Sequence, residues 1–126
     1  MIDYLELNAQ GGYAHHFWGT YSAELYLDVP TVPHPESLAG WLQNITGCTW
    51  DHKEKDGRLL LATYLQSADE SDRVKTIMES LRPEDDSCPT CGKRHEIGDL
   101  AHSIDYGAPF TITIPVQRPG QLELAL

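Results

Sequence analysis

The stretch Cys88-Pro89-Thr90-Cys91-Gly92-Lys93-Arg94-His95 carries the clearest chemistry in the chain. Two thiols and an imidazole at this spacing can converge on one tetrahedral metal ion, and zinc is the expected one. Cysteines separated by two residues turn both sulfurs to the same side of a tight loop. Pro89-Thr90 between them and Gly92 just after supply the backbone bend.

The Cys-x-x-Cys turn resembles the zinc knuckle that forms half of a zinc ribbon. A full ribbon needs a second such pair, and the chain has only 3 cysteines, so the remaining ligands are histidine or come from far away in sequence. His95 lies four residues past Cys91, and His102 seven past His95. A helical segment from Glu96 to Ile104 would place both imidazoles on one face. Cys88, Cys91, His95 and His102 then form a local four-ligand set. Cys48 and His52, a second Cys and His four apart, form a competing arrangement that completes the site across the fold. A thioredoxin-type redox pair fits less well. It wants its first Cys at a helix N-terminus after a buried strand, whereas Glu84-Asp85-Asp86 precede Cys88 and should raise its pKa.

The sequence gives little support to an enzyme. His15, His16, His34 and several carboxylates could supply a general base, but no Gly-x-Ser-x-Gly, phosphate loop or His-Glu-x-x-His occurs. The zinc-deaminase pattern needs an upstream His-x-Glu, which is absent, and a proline before the cysteine pair rather than inside it. A Cys-Cys-His zinc with water in an open position would still be chemically competent. A small zinc-dependent enzyme or a metal-stabilised regulatory subunit is therefore the alternative to a binding module.

Charge narrows the partners. The formal net charge is -10, and Lys53 is the first basic residue, so Asp3, Glu6, Glu24, Asp28, Glu36 and Asp51 precede any Lys or Arg. More acid gathers at Asp69, Glu70 and Asp72 and at Glu84-Asp85-Asp86. Binding a phosphate backbone needs cations that displace counterions, so direct nucleic-acid binding is disfavoured. The expected partner is a protein with a basic surface, such as the nucleic-acid groove of a target. A solvated acidic surface that only aids solubility is the plainer account.

At 126 residues the whole chain, residues 1–126, reads as one domain, long enough to bury about two thirds of its unfolded surface without a metal. No apolar run approaches membrane-spanning length, and Met1-Ile2-Asp3 opens without the basic and apolar regions of a signal peptide. With an odd cysteine count, these features point to a reducing, cytoplasmic setting.

The elements that must hold the metal segment follow from periodicity. Ile2 to Leu7 reads as a strand, and Ser22 to Val29, with Leu25, Leu27 and Val29 alternating, as a second. Leu38, Trp41, Leu42 and Ile45 fall at i, i+3, i+4 and i+7 before Gly47, the pattern of an amphipathic helix. Thr49 to Lys53 and Arg58 to Leu65 flank Glu54-Lys55-Asp56-Gly57 as a hairpin. Ser67 with Glu70 predicts a cap for a second helix carrying Val74, Ile77, Met78 and Leu81, ended by Arg82-Pro83. Phe110 to Pro115 alternates as a strand, and Gln121 to Leu126 is expected as another.

These elements predict an α+β fold: an antiparallel sheet, ferredoxin-like in order, covered on one face by two amphipathic helices. A zinc-knuckle-like insertion precedes the last strands and fixes a connection of about 25 residues that is otherwise unusually long. Gly11-Gly12-Tyr13-Ala14-His15-His16-Phe17-Trp18-Gly19 is expected as a loop joining the first two strands. Tyr13, His15, His16 and Trp18 are its candidate partner-binding residues, with Phe17 and Trp18 capping the core as the alternative. Glu24 and Asp28, on the polar side of the second strand, are the candidate acidic contacts. The function expected is a small acidic, zinc-binding protein-interaction domain. It would inhibit a nucleic-acid-binding target by charge mimicry, as small phage or plasmid anti-defence proteins do.

Overall fold

The computed structural model describes residues 7–17, 21–32, 34–100 and 107–114. Among these residues, five strands and two helices follow in the order β1 (Leu7–Phe17), β2 (Tyr21–Pro30), α1 (Pro35–Thr46), β3 (Asp51–Lys55), β4 (Arg58–Leu65), α2 (Ala68–Ser80) and β5 (Phe110–Ile114). All strands join one antiparallel sheet of order β3-β4-β2-β1-β5. The α+β expectation with two helices and an antiparallel sheet therefore holds. No helix among the described residues is long and apolar enough to cross a membrane.

Alternation builds the sheet's inner face. Leu25, Leu27 and Val29 of β2, Leu59, Leu61 and Leu65 of β4, and Phe110, Ile112 and Ile114 of β5 are buried, each Leu or Ile contributing roughly 1.5–3 kcal/mol through burial. Leu38 and Leu42 of α1 and Val74 and Met78 of α2 join them in one core, with Trp41, Ile45 and Leu81 packed against it and Ile77 half-buried. Gly47 caps α1, its N–H donating to the Gln43 carbonyl. Ser67 caps α2, its hydroxyl accepting the Glu70 N–H at 3.1 Å. Beneath α1, the buried Thr46 hydroxyl donates to the Leu42 carbonyl (2.7 Å) and accepts from the Trp50 indole (2.9 Å), which fixes the entry into β3.

The structure departs from the sequence reading in several places. The segment around Gly11 and Gly12, expected as a loop, lies inside β1. Space, not turn geometry, explains the glycines. Gly11 pairs with Phe110 of β5 and Gly12 with Tyr26 of β2, and in each case the neighbour's ring fills the volume that a side chain on the glycine would occupy. The strand expected over Ile2 to Leu7 falls mostly on residues 1–6, and that over Gln121 to Leu126 wholly, outside the described residues. The first hairpin strand lies two residues later than expected, leaving a two-residue turn at Asp56-Gly57. Both turn residues have positive φ, 53° and 75°, as a type I′ hairpin requires.

The expected ferredoxin-like order is not shown by the sheet as a whole, although β4 lies between the two strands joined through α1. Beyond them, β1 stands between β2 and β5. The chain from α2 to β5 must therefore pass two strands, which accounts for its length. Along the way it covers the free border of β5. The Thr113 N–H donates to the Leu81 carbonyl (3.2 Å) and the Thr111 N–H to the Asp86 carboxylate (3.0 Å).

Candidate metal centre

The cysteine segment folds as a tight turn held by its own main chain. The Cys88 N–H donates to the Lys93 carbonyl at 2.7 Å, and the Gly92 N–H returns to the Cys88 carbonyl at 2.8 Å. Gly92 has φ 76°, a left-handed conformation that a side chain would resist. The turn aims amides at sulfur: the Thr90 N–H lies 3.4 Å from Cys88 Sγ. Burial alone would raise the Cys88 thiol pKa, but the N–H groups of Cys91 and Thr90 and the Cys91 thiol outweigh it and bring the pKa down to about 7. The expected upward push from Glu84-Asp85-Asp86 plays no part in this balance, and Asp86 is engaged by Arg82 and Thr111 instead.

Cys88 Sγ, Cys91 Sγ and an imidazole nitrogen of His95 all lie within 4.8 Å of one another. Ligands of a tetrahedral zinc stand about 3.8 Å apart for two sulfurs and about 3.6 Å for sulfur and nitrogen, so the three atoms are close enough to share one ion. Cys91 Sγ and His95 Nε2, at 2.9 Å, would have to spread. On the other edge of the ring, Nδ1–H donates to Asp99 Oδ2 at 3.1 Å, which leaves the Nε2 lone pair facing the sulfurs. A carboxylate behind a ligating imidazole is the usual outer-shell partner of a zinc site.

The segment is anchored from behind by a buried ion cluster. The Arg82 side chain is 1% exposed and that of Asp86 6%. Arg82 Nε donates to Asp86 Oδ2 (2.8 Å) and Nη1 to Glu79 Oε1 (2.6 Å) and to the His95 carbonyl (2.7 Å). Burial alone would raise the Asp86 carboxyl. Hydrogen bonds from Thr111 and Arg82 outweigh it and hold the group below its ordinary value.

The expected ligands thus divide. Cys88, Cys91 and His95 come together; His102 lies outside the described residues. The helix expected from Glu96 to Ile104 is not formed over Glu96 to Leu100, which run as a turn and irregular chain. The segment therefore does not supply the helical face expected to carry both His95 and His102. Cys48 and His52 do not join the group. Cys48 is buried after α1 with Sγ 3.7 Å from Glu70 Oε1, its pKa raised by burial first and then by Glu70, and His52 is exposed on β3.

Of the candidate contact residues, Tyr13 is corrected. It is buried in β1, its hydroxyl 2.6 Å from Ser71 Oγ and its ring under Lys75, so it packs the core instead of presenting a loop surface. His15 and His16 pair with Ala23 and Ser22 in the β1–β2 ladder, and Trp18 lies outside the described residues. Glu24 and Asp28 stand half-exposed on the outer face of β2, with Asp28 paired to Arg58 at 2.9 Å.

Sequence reasoning missed Asp99, Arg82 and Asp86. Asp99 had a local signal, four residues after His95. Arg82 has local partners in Glu79 and Asp86, three and four residues away, but that spacing reads as a surface ion pair; the burial of the pair and its reach to His95 and Thr111 depend on contacts across the fold. Cys91, His95 and Asp99 also stand in the order of a thiol–imidazole–carboxylate relay. Cys91, however, is exposed on a turn, and a relay leaves unexplained why Cys88 Sγ converges on the same point. A shared metal ion could hold all three atoms. No protein-family model matches the chain, and neither a curated protein nor a solved structure matches it.

Proposed function

We propose that the protein is a zinc-binding interaction domain. A zinc-knuckle-like turn pins the connection between α2 and β5, and an acidic surface engages a basic, nucleic-acid-binding face of a partner protein. The convergence of Cys88, Cys91 and His95 with Asp99 behind the imidazole carries the metal part of this reading. The net charge of -10 supports the partner part. Glu84, Asp85, Asp69, Asp51 and Glu54 are all exposed, while the buried acid Asp86 is neutralised by Arg82. An inhibitor that occupies a nucleic-acid groove by charge mimicry is the form of engagement such a surface suits.

Reduced, unchelated protein is expected to carry about one zinc equivalent, which Cys88→Ser loses. Protein that retains no zinc would end the metal reading. A partner captured from the native host should bind more weakly as salt rises, chiefly through a slower on-rate. Glu24→Lys with Asp28→Lys should weaken it further in a folded protein. Binding indifferent to both salt and reversal would reduce the acidic surface to a solubility device.

A further inference from the structure

We infer that Arg82, which touches no ligand atom, is the positioning residue of the metal centre. The inference rests on the zinc reading above and adds what holds the site in place. His95 sits in a stretch with neither helix nor strand among its described neighbours, so Asp99 can orient the ring but the main chain decides where the ring stands. The His95 carbonyl accepts from Arg82 Nη1 at 2.7 Å.

The guanidinium is in turn fixed on every side. Nε and Nη2 meet Asp86 Oδ2 at 2.8 and 2.7 Å, and Nη1 meets Glu79 Oε1 at 2.6 Å. The Phe110 ring lies 5.9 Å from the guanidinium carbon. Asp86 is itself bound to the N–H and hydroxyl of Thr111 in β5, at 3.0 and 2.6 Å. One planar cation thereby ties the end of α2, the edge of the sheet and the chain at His95 into a single unit. Only the rigid fork of arginine can do this, because a lysine ammonium presents one compact point charge.

A ligand whose backbone is released has to be re-ordered when the metal binds. Loss of the fork should therefore lower zinc affinity about 10- to 100-fold, the usual range for outer-shell partners. The test is zinc competition against a chromophoric chelator on the full reduced chain, comparing wild type, Arg82→Lys and Leu42→Ala. Leu42→Ala destabilises the core on α1, away from the segment. Circular dichroism and urea unfolding report the fold of each variant.

The expected result is that Arg82→Lys weakens zinc at least tenfold and blue-shifts or broadens the bands of bound cobalt, while Leu42→Ala stays within about threefold of wild type. Wild-type affinity in folded Arg82→Lys overturns the inference alone. An equal loss in Leu42→Ala also overturns it, since the effect would then be one of global stability. Should Arg82→Lys not fold, Asp86→Asn releases the same fork from β5. A folded Asp86→Asn with wild-type affinity overturns the inference, and a weakened one supports it. Wild type that takes up no zinc defeats the metal reading itself and the inference with it.

Discussion

Asp99 Oδ2 stands 3.1 Å from Nδ1 of His95, while the opposite nitrogen of the same ring faces Cys91 Sγ at 2.9 Å. The carboxylate selects the tautomer with its proton on Nδ1 and so presents a lone pair where a metal would accept it.

Replacing Asp99 by Asn keeps the shape and removes the charge. Zinc affinity should fall about tenfold, measured by chelator competition, with no loss of folded structure because Asp99 is exposed. Unchanged affinity would mean that the main chain alone orients His95.

Cys48 gives a cleaner discrimination. Its thiol is engaged with the Thr46 carbonyl and Glu70, both at 3.7 Å, so Cys48→Ala should leave the zinc stoichiometry at one, whereas Cys91→Ser should abolish it. Metal analysis of the two variants decides between the local ligand set and one that reaches across the fold to Cys48 and His52.

The Cys88 thiol predicts a pH dependence of the metal-free protein. Its folded pKa, about 7, lies below the reference value of 9.0, so the folded state releases the proton first and the unfolded state holds more protons between those values. Stability should therefore rise from pH 7 to pH 9, be fully present above 9, and be lost as pH falls through 7. Urea midpoints across this range should show the rise in wild type and lack this component in Cys88→Ser. A flat profile common to both proteins would refute the shift.

Gly11 lies under the Phe110 ring, so Gly11→Ala should destabilise the fold by about 1–3 kcal/mol as overpacking. Adding Phe110→Leu should recover part of that loss, because the two sites share one volume. Urea unfolding of the single and double variants measures both. Additive losses would show that the ring yields freely.

How much the sequence disclosed depended on how local each signal was. α1, α2 and the alternation of β2 and β4 were legible because period and caps lie within a few residues, as with Ser67 and Glu70. β1 was misread because Gly11 and Gly12 resemble a turn until Phe110 and Tyr26, distant in sequence, are placed over them. The turn from Cys88 to His95 was legible for the same reason that helices are. The site's anchor was not, because Arg82 followed by Pro83 reads only as the end of a helix. Its contacts to His95 and, through Asp86, to Thr111 exist only once the chain has passed two strands to reach β5.

The covering of β5 sets a limit on assembly. Among the described residues, Thr111 and Thr113 direct their amides to Asp86 and Leu81, while all 5 residues of β3, at the opposite border, stay exposed. Stacking strand against strand without end requires two open borders per molecule, and among the described residues this sheet offers one. A copy that added at β3 would use the single open border of each partner and close as a two-fold pair. Lys53 and Lys55 on that border discourage even this step, so among the described strands fibre growth has no second border from which to continue.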